Sequence, residues 1–363
     1  MGEQQVQAQA IVVGGGPAGL MAAHRLAREG LEVIVVERGQ YCGAKNVSGL
    51  LYSTVLAEAI PDFSSRAPLE RPVCRRGLGL LAPGSFSLIS FGSERWASPP
   101  HNHTWVVYRS QFDRWLAGEV EKAGGTILEG TVVDDLLYEG AGPSTRVAGV
   151  RIRGEAAPFR AQVVILAEGA VGLVTDRARS RLGMSRGAVP QSYGIGVKEI
   201  WALPAPAIED RFGLEPGCGA AIEWVGSPFA GLVGGGFLYT GKESLALGMI
   251  VKAESMARAR ISPHDLMEGF KANPEISRYL RGGELLEYSA HIIPEGGPEA
   301  VGQLSHHGVV VVGDAAGLVN ASMYHEGANL AMLSGRLAAE AAIQAHLLGD
   351  FSRSCLSLYD RML

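Results

Sequence analysis

Cysteine is scarce and scattered in this chain. Only Cys42, Cys74, Cys218 and Cys355 occur in 363 residues, with no Cys-x-x-Cys or Cys-x-x-x-x-Cys spacing, so no iron-sulfur cluster, zinc site or disulfide-reductase pair is written locally. Four isolated thiols read as a protein of a reducing cytosol. The N-terminus lacks a basic region followed by an apolar segment and a small-residue cleavage site, so no export signal is expected. Nowhere do about 18 uninterrupted apolar residues occur, which excludes an ordinary spanning helix and leaves peripheral attachment through a surface loop open. Lys and Arg form no runs and the formal net charge is −5, which excludes the electrostatic footprint of a nucleic-acid binder and a polybasic membrane patch.

Glycine, by contrast, is plentiful at 49 residues, and hydrophobic residues make up 47%. A chain of this length buries a sizeable core. Many tight turns and close backbone approaches are expected, which favours a cofactor binder over a helical scaffold. The stretch IVVGGGPAGLMAAHRLAREGLEVIVVERG, residues 11–39, reads as strand, glycine turn, helix and second strand. Gly14 permits the tight turn, Gly16 lets the backbone approach a pyrophosphate, Gly19 allows close helix packing, and Glu37 can bind a ribose hydroxyl. Pro17, Ala18 and Arg38 belong to the same cofactor-binding set. The acid at the end of the second strand argues against a 2′-phosphate. Together these parts predict dinucleotide binding.

Which dinucleotide is decided further on. QVVILAEGA, residues 162–170, is a strand ending in a small-acid-glycine turn with Glu168 and Gly169. GVVVVGDAAGLVN, residues 308–320, is a strand ending in Gly313-Asp314 before an expected helix. These strings resemble the fingerprints of the FAD-binding glutathione-reductase-type superfamily, which implies FAD, with Asp314 at the ribityl chain. VVYRSQFDRWLAGEVEKAGG, residues 106–125, is similar to that superfamily's adenosine-side helix start. Arg109 would there approach the cofactor phosphates, or else be a solvated helix-end charge. Val132 is counted with the cofactor-binding residues. No second strand-GxGxxG-helix unit follows, so a dedicated NAD domain is missing and the reductant is not obviously a nicotinamide.

Three longer strings narrow the family: YCGAKNVSGLLY (41–52), GGGFLYTGKESLALGMIV (234–251) and FKANPEISRYLRGGELLEYSAHIIPEGG (270–297). They resemble the electron-transfer-flavoprotein:quinone oxidoreductases, most closely the FixC branch, over nearly the whole chain. The resemblance implies that a partner flavoprotein, with alpha and beta subunits, delivers electrons to the bound FAD, which passes them toward a membrane quinone. A small ferredoxin-like iron-sulfur partner and electron bifurcation are implied for the FixC branch. It further implies that Ala44, Lys45, Asn46, Val47, Ser48 and Gly49 line the isoalloxazine ring, and that Gly327, Ala328 and Asn329 open a helix at its pyrimidine edge. A helix N-terminus there would stabilise negative charge on the reduced ring. Gly234 and Gly235 match a glycine pair at the quinone head group, or else mark a strand bulge. The apolar run around them reads as a lipid-facing entrance or as a buried hairpin. His325 reads as a proton donor to a reduced quinone or as a structural histidine.

An FAD-dependent oxidoreductase with no acid-base dyad is therefore expected in the cytoplasm, with peripheral attachment to the cytoplasmic face of the membrane left open. A geranylgeranyl-reductase-like lipid reductase shares the frame, but its aromatic substrate motif and paired cysteines are not evident. A third reading is a flavin-bearing subunit that only organises a complex. No metal site is expected. The expected architecture is α/β: a parallel sheet flanked by helices and a β-ribbon, from residues 1–75, 105–180 and 298–345, with an inserted antiparallel sheet and helices at 76–104 and 181–297. Residues 346–363 read as the start of a helical segment cut mid-course.

Overall fold

The structure, a computed structural model, describes residues 7–320, 322 and 326–363. Strand Gln7–Val13 is the centre of a parallel sheet. Its neighbours are Val33–Val36 on one side, with Ile11 opposite Ile34, and Phe159–Leu166 on the other, with Ile11 opposite Val164. Thr126–Leu128 and Val309–Val311 extend the parallel array at its two ends. These strands are near-continuous Val, Ile and Leu because both faces are covered. On one face lie helices Pro17–Arg28, Arg109–Lys122 and Ala328–Leu348. Two of these backbones touch: a Cβ at Gly335 would stand 2.0 Å from the Ala18 carbonyl oxygen. The ribbon Val133–Glu139 with Arg146–Ile152 joins the sheet through the Gly149–Arg160 pair.

A second, nine-stranded sheet runs in the order Glu284–Pro294, Tyr193–Ala202, Ser244–Lys252, Gly234–Thr240, Gly219–Gly226, Leu69–Ala82, Thr104–Tyr108 and Ser48–Tyr52, with Ser85–Gly92 paired to Leu69–Ala82. One face packs Trp224, Leu247 and Met249 against helices Ala205–Phe212, Pro263–Ala272 and Pro274–Leu280; the Phe212 and Tyr279 rings stack there at 4.4 Å. The opposite face turns toward the first sheet through Ile200, Ala221, Phe237 and Tyr239.

The boundary expected at residue 75 falls inside the unbroken strand Leu69–Ala82, and strands Ser48–Tyr52 and Thr104–Tyr108 pair into the second sheet rather than the first. Helix Ala328–Leu348 runs past residue 345, and residues 353–362 form two short helices whose Leu356 and Tyr359 are buried in the first core. The late Gly313-Asp314 motif is followed not by a long helix but by a single 3₁₀ turn, Gly313–Ala316. Gly313 and Gly317 take φ of +62° and +79°, a left-handed geometry at both ends that closes the turn instead of propagating it.

Candidate functional site

The carboxyl ends of the parallel strands open on a cavity of ≈ 940 Å³, with Val13, Val36, Ala167 and Val312 on its wall. Ligands in open parallel sheets bind at this end. Gly14 has φ +111°, and a Cβ there would lie 2.3 Å from the Ala167 carbonyl oxygen, so only glycine passes between the two strands. Gly16 is the N-cap of helix Pro17–Arg28, no side chain caps the first turn, and a Cβ at Gly16 would meet nothing within 4 Å. The amides of a helix N-terminus therefore face the cavity beside Pro17 and Ala18, a cradle for a pyrophosphate. Glu37 accepts from Gly15 N–H at 2.7 Å and Gly39 N–H at 2.5 Å. Those bonds fix the carboxylate at the turn, and its remaining lone pairs suit a ribose hydroxyl. Arg38 and Val132 line the cavity with Glu37, as do Ala44, Lys45, Asn46, Ser48 and Gly49. The Asn46 Oδ1 and Ser48 Oγ atoms are buried without a protein partner, polar atoms of the kind a ring edge would satisfy. The residues present fit FAD.

Arg109 is not a solvated charge. It is 15% exposed at the cavity wall and donates to Asp113 through Nε at 2.8 Å and Nη2 at 2.7 Å, a two-point pair across one helical turn. Asp314 also lines the wall. Burial pushes its carboxyl above the usual carboxylate range, opposed by Arg109 and Lys198.

Lys198, His291, Phe237 and Tyr239 line the cavity from the second sheet and were not found in the sequence. Pairing registers place them on one face: Gly248 stands opposite both Phe237 and Lys198, Gly196 opposite both Ile250 and His291. A Cβ at Gly248 would be 2.2 Å from the Phe237 ring, so that glycine lets the ring lie across the sheet. Lys198 Nζ donates to the Ser48 carbonyl at 2.5 Å. Burial, with Arg109 nearby, pushes Lys198 down to about 8. Burial, with Lys198 and Arg109, pushes His291 down to about 4, and its Nδ1 has no protein partner. His291 is neutral at pH 7.

Glu168 lines the cavity but is turned to helix Leu173–Leu182, accepting from Val174 N–H at 3.2 Å, Thr175 N–H at 2.7 Å and the Thr175 hydroxyl at 2.6 Å. Gly169, Gly313, Gly327 and Ala328 are on the wall. Other expected residues support it from behind. A Cβ at Gly19 would lie 2.1 Å from the Gly14 carbonyl oxygen. Val47 is core, and its carbonyl accepts from Arg109 N–H at 2.9 Å. Asn329 donates to Glu326 Oε1 at 2.8 Å while its Oδ1 accepts from Val55 N–H at 3.3 Å. Gly234 and Gly235 do not line the cavity; Cβ atoms there would meet the Ile250 and Trp224 carbonyl oxygens at 2.2 and 2.4 Å. His325 lies outside the described residues.

Among the described residues no cluster of His, Cys, Asp or Glu could hold a metal ion. Cys74 and Cys218, far apart in the sequence, are neighbours in the fold, and burial, with Cys74 second, pushes the Cys218 thiol up to about 12. Thiols so raised are poor nucleophiles.

Two family models match the chain: FAD dependent oxidoreductase over residues 9–178, and ETF-QO, ubiquinone-binding, over residues 193–293. The chain is 42% identical over 360 residues to an Escherichia coli K12 protein named "Probable electron transfer flavoprotein-quinone oxidoreductase YdiS", covering 98% of this chain and 80% of the relative. It is 40% identical to Protein FixC of Azorhizobium caulinodans over 98% of this chain and 80% of that one. Among solved structures, a geranylgeranyl bacteriochlorophyll reductase-like protein from Thermoplasma acidophilum superposes with a TM-score of 0.76 at 20% identity, over 99% of this chain and 83% of that one. The myxobacterial halogenase CndH does so with a TM-score of 0.72 at 21% identity, over 98% and 79%. At such identities the likeness is one of fold. The cradle for a dinucleotide, the matching FAD domain and the relatives at 38–42% identity make the chain an FAD-dependent oxidoreductase that belongs to the family of electron-transfer-flavoprotein:quinone oxidoreductases and FixC proteins.

Proposed function

We propose that this protein takes electrons from an electron transfer flavoprotein of alpha and beta subunits and passes them to a quinone, directly or with a ferredoxin-like iron-sulfur partner, within a FixABCX-type bifurcating assembly. The observation that carries the reading is the composition of one cavity wall. Lys198, Phe237, Tyr239, Ile250 and His291 all come from residues 193–293, the stretch that matches the ubiquinone-binding family, and they face the cradle that fits FAD. When bound, FAD supplies reversible one- and two-electron chemistry at its ring. The chain's own residues orient it through the turn at Gly14–Gly16, hold positive charge beside it at Lys198, and exclude water with Phe237 and Ile250.

A quinone that gains two electrons also needs two protons. Tyr239 lines the cavity and its hydroxyl donates to Glu223 Oε1 at 3.3 Å, close to Tyr52 and Arg76, a hydrogen-bonded cluster through which protons drawn from solvent would reach the cavity. In this reading an apolar substrate approaches along the same sheet face. Gly235 packs beside Val225, Val225 pairs with Leu80, and Ile89 and Phe91 follow on the neighbouring strand. Leu80, Ile89 and Phe91 are 54%, 71% and 60% exposed, an apolar surface suited to the cytoplasmic face of a bilayer. No helix among the described residues is long and apolar enough to cross a membrane, which fits a peripheral contact. In this reading Gly234 and Gly235 form the floor of the quinone path without touching the cofactor cavity.

Anaerobic stopped-flow tests the relay. Reduced electron transfer flavoprotein should bleach the flavin absorbance and a short-chain quinone should restore it, with NADH alone inert. Reduction by NADH and saturation of an isoprenoid, with no response to the flavoprotein, would replace this reading with the lipid reductase.

A further inference from the structure

A second cavity, ≈ 520 Å³, adjoins the first and shares Ala170 and Asp314 with it. Arg179 reaches it from helix Leu173–Leu182, and Arg186 and Gln191 reach it from the segment that leads into strand Tyr193–Ala202. The Arg179 guanidinium is half-buried. Its Nη2 donates to the Ala315 carbonyl at 3.4 Å, but Nε is buried with no acceptor. Gln191 is in the same position, with Nε2 buried and no acceptor. The Gln191 side-chain oxygen Oε1 occupies space left by two glycines: a Cβ at Gly296 would stand 2.5 Å from it and one at Gly317 3.4 Å.

The charges around this cavity are unevenly compensated. Arg179 is disfavoured first by burial and again by Arg186, with Asp176 offsetting part. The other wall acid, Asp314, faces Arg109 and Lys198 in the first cavity. The N-terminal turn of helix Leu173–Leu182 already has its acceptor in Glu168. What is left is two guanidinium groups and a carboxamide NH₂, with two buried N–H groups lacking acceptors, and buried donors without partners are rare in folded proteins. Planar guanidinium forks and amide N–H groups converging on a cavity match an oxyanion.

We infer that this cavity is a binding site for the oxyanion group, phosphate or carboxylate, of a small molecule, held by Arg179, Arg186 and Gln191. The volume accommodates an organic body as well as the anionic group. Because Asp314 and Ala170 are walls of both cavities, occupancy is felt at the bound cofactor. The inference does not rest on the identity of the electron donor or acceptor.

The test is calorimetric titration of the FAD-saturated protein, in chloride buffer of constant ionic strength, with inorganic phosphate, glycerol 3-phosphate and succinate. At least one probe should bind saturably and perturb the flavin absorbance, and preference between the phosphates and succinate identifies the anionic group. R179M and R186M should each weaken binding at least about tenfold, and Q191L by several-fold, with R146M, on the distant ribbon, unchanged. Arg186 is exposed, so R186M keeps its fold even where R179M does not. No saturable binding of any probe at millimolar concentration, or equal binding in wild type and R186M, overturns the inference.

Discussion

Replacing Lys198 with methionine tests whether the cofactor cavity holds a charge against its own desolvation. Burial brings this lysine from 10.5 to about 8, a difference of ~3 kcal/mol at 1.36 kcal/mol per pH unit. Below about pH 8 both folded and unfolded chains hold the proton, and the full penalty applies. Between that pH and 10.5 the folded chain has released it while the unfolded chain has not. The unfolded state then binds more protons, so stability rises with pH across this window and the penalty is gone above it. In the cofactor-stripped protein, urea midpoints followed by tryptophan fluorescence should climb between pH 8 and 10.5 for the wild type and climb less for K198M. The variant also leaves the Ser48 carbonyl without the donor it has at 2.5 Å, which costs about 1–3 kcal/mol. The two effects nearly cancel at neutral pH, so the slope and not the midpoint is the readout. Parallel pH profiles would refute a buried, charge-capable Lys198.

The glycine turn separates two functions that a single substitution normally confounds. Gly16→Ala adds a methyl where nothing stands within 4 Å, so thermal stability of the stripped protein should hold while FAD affinity falls at least about tenfold; Gly19→Ala drives a methyl to 2.1 Å from the Gly14 carbonyl oxygen and should lose about 1–3 kcal/mol or more of stability, read by urea denaturation. Arg109→Met should cost about 3–5 kcal/mol by stranding the buried Asp113 carboxylate, and adding Asp113→Asn should recover part of that in the same assay. Changing Leu80, Ile89 and Phe91 together to serine should abolish co-sedimentation with phosphatidylcholine vesicles and leave reduction by the partner flavoprotein intact.

The parts of the site that sequence revealed are those where backbone geometry demands a particular residue. Gly14 at φ +111° and Gly313 at +62° sit in turns that leave a mark at fixed spacing from a strand, and Glu37 follows at the end of the next strand. Lys198 and His291 leave no such mark. Each is one of several polar residues in a strand of the second sheet, and only long-range pairing, with Gly248 across from Lys198 and Gly196 across from His291, turns them to the cavity. The same pairing explains the domain boundary. Leu69–Ala82 continues through residue 75 because Gly219–Gly226 lies beside it from Val73 to Leu81, a contact between segments some 145 positions apart that no local composition shift announces. Local spacing likewise predicted a helix after Gly313-Asp314, where the second left-handed glycine, Gly317, stops the turn.

The distribution of charge follows from these two levels of legibility. Arg109, marked by its motif, is neutralised four residues on by Asp113 along its own helix. Lys198 has no carboxylate within ion-pair distance among the described residues; it bonds a carbonyl and feels Asp314 only through space. His291, next to these cations, is kept neutral. The cavity thus presents one weakly compensated cation on the wall contributed by the second sheet, opposite a cradle built by the first. Such a cation would favour an anionic over a neutral form of a ring bound there, since a positive charge in a water-poor site acts at low effective dielectric. Had the lysine been paired like the arginine, that wall would be electrically silent, and the second sheet would contribute shape alone to the redox step.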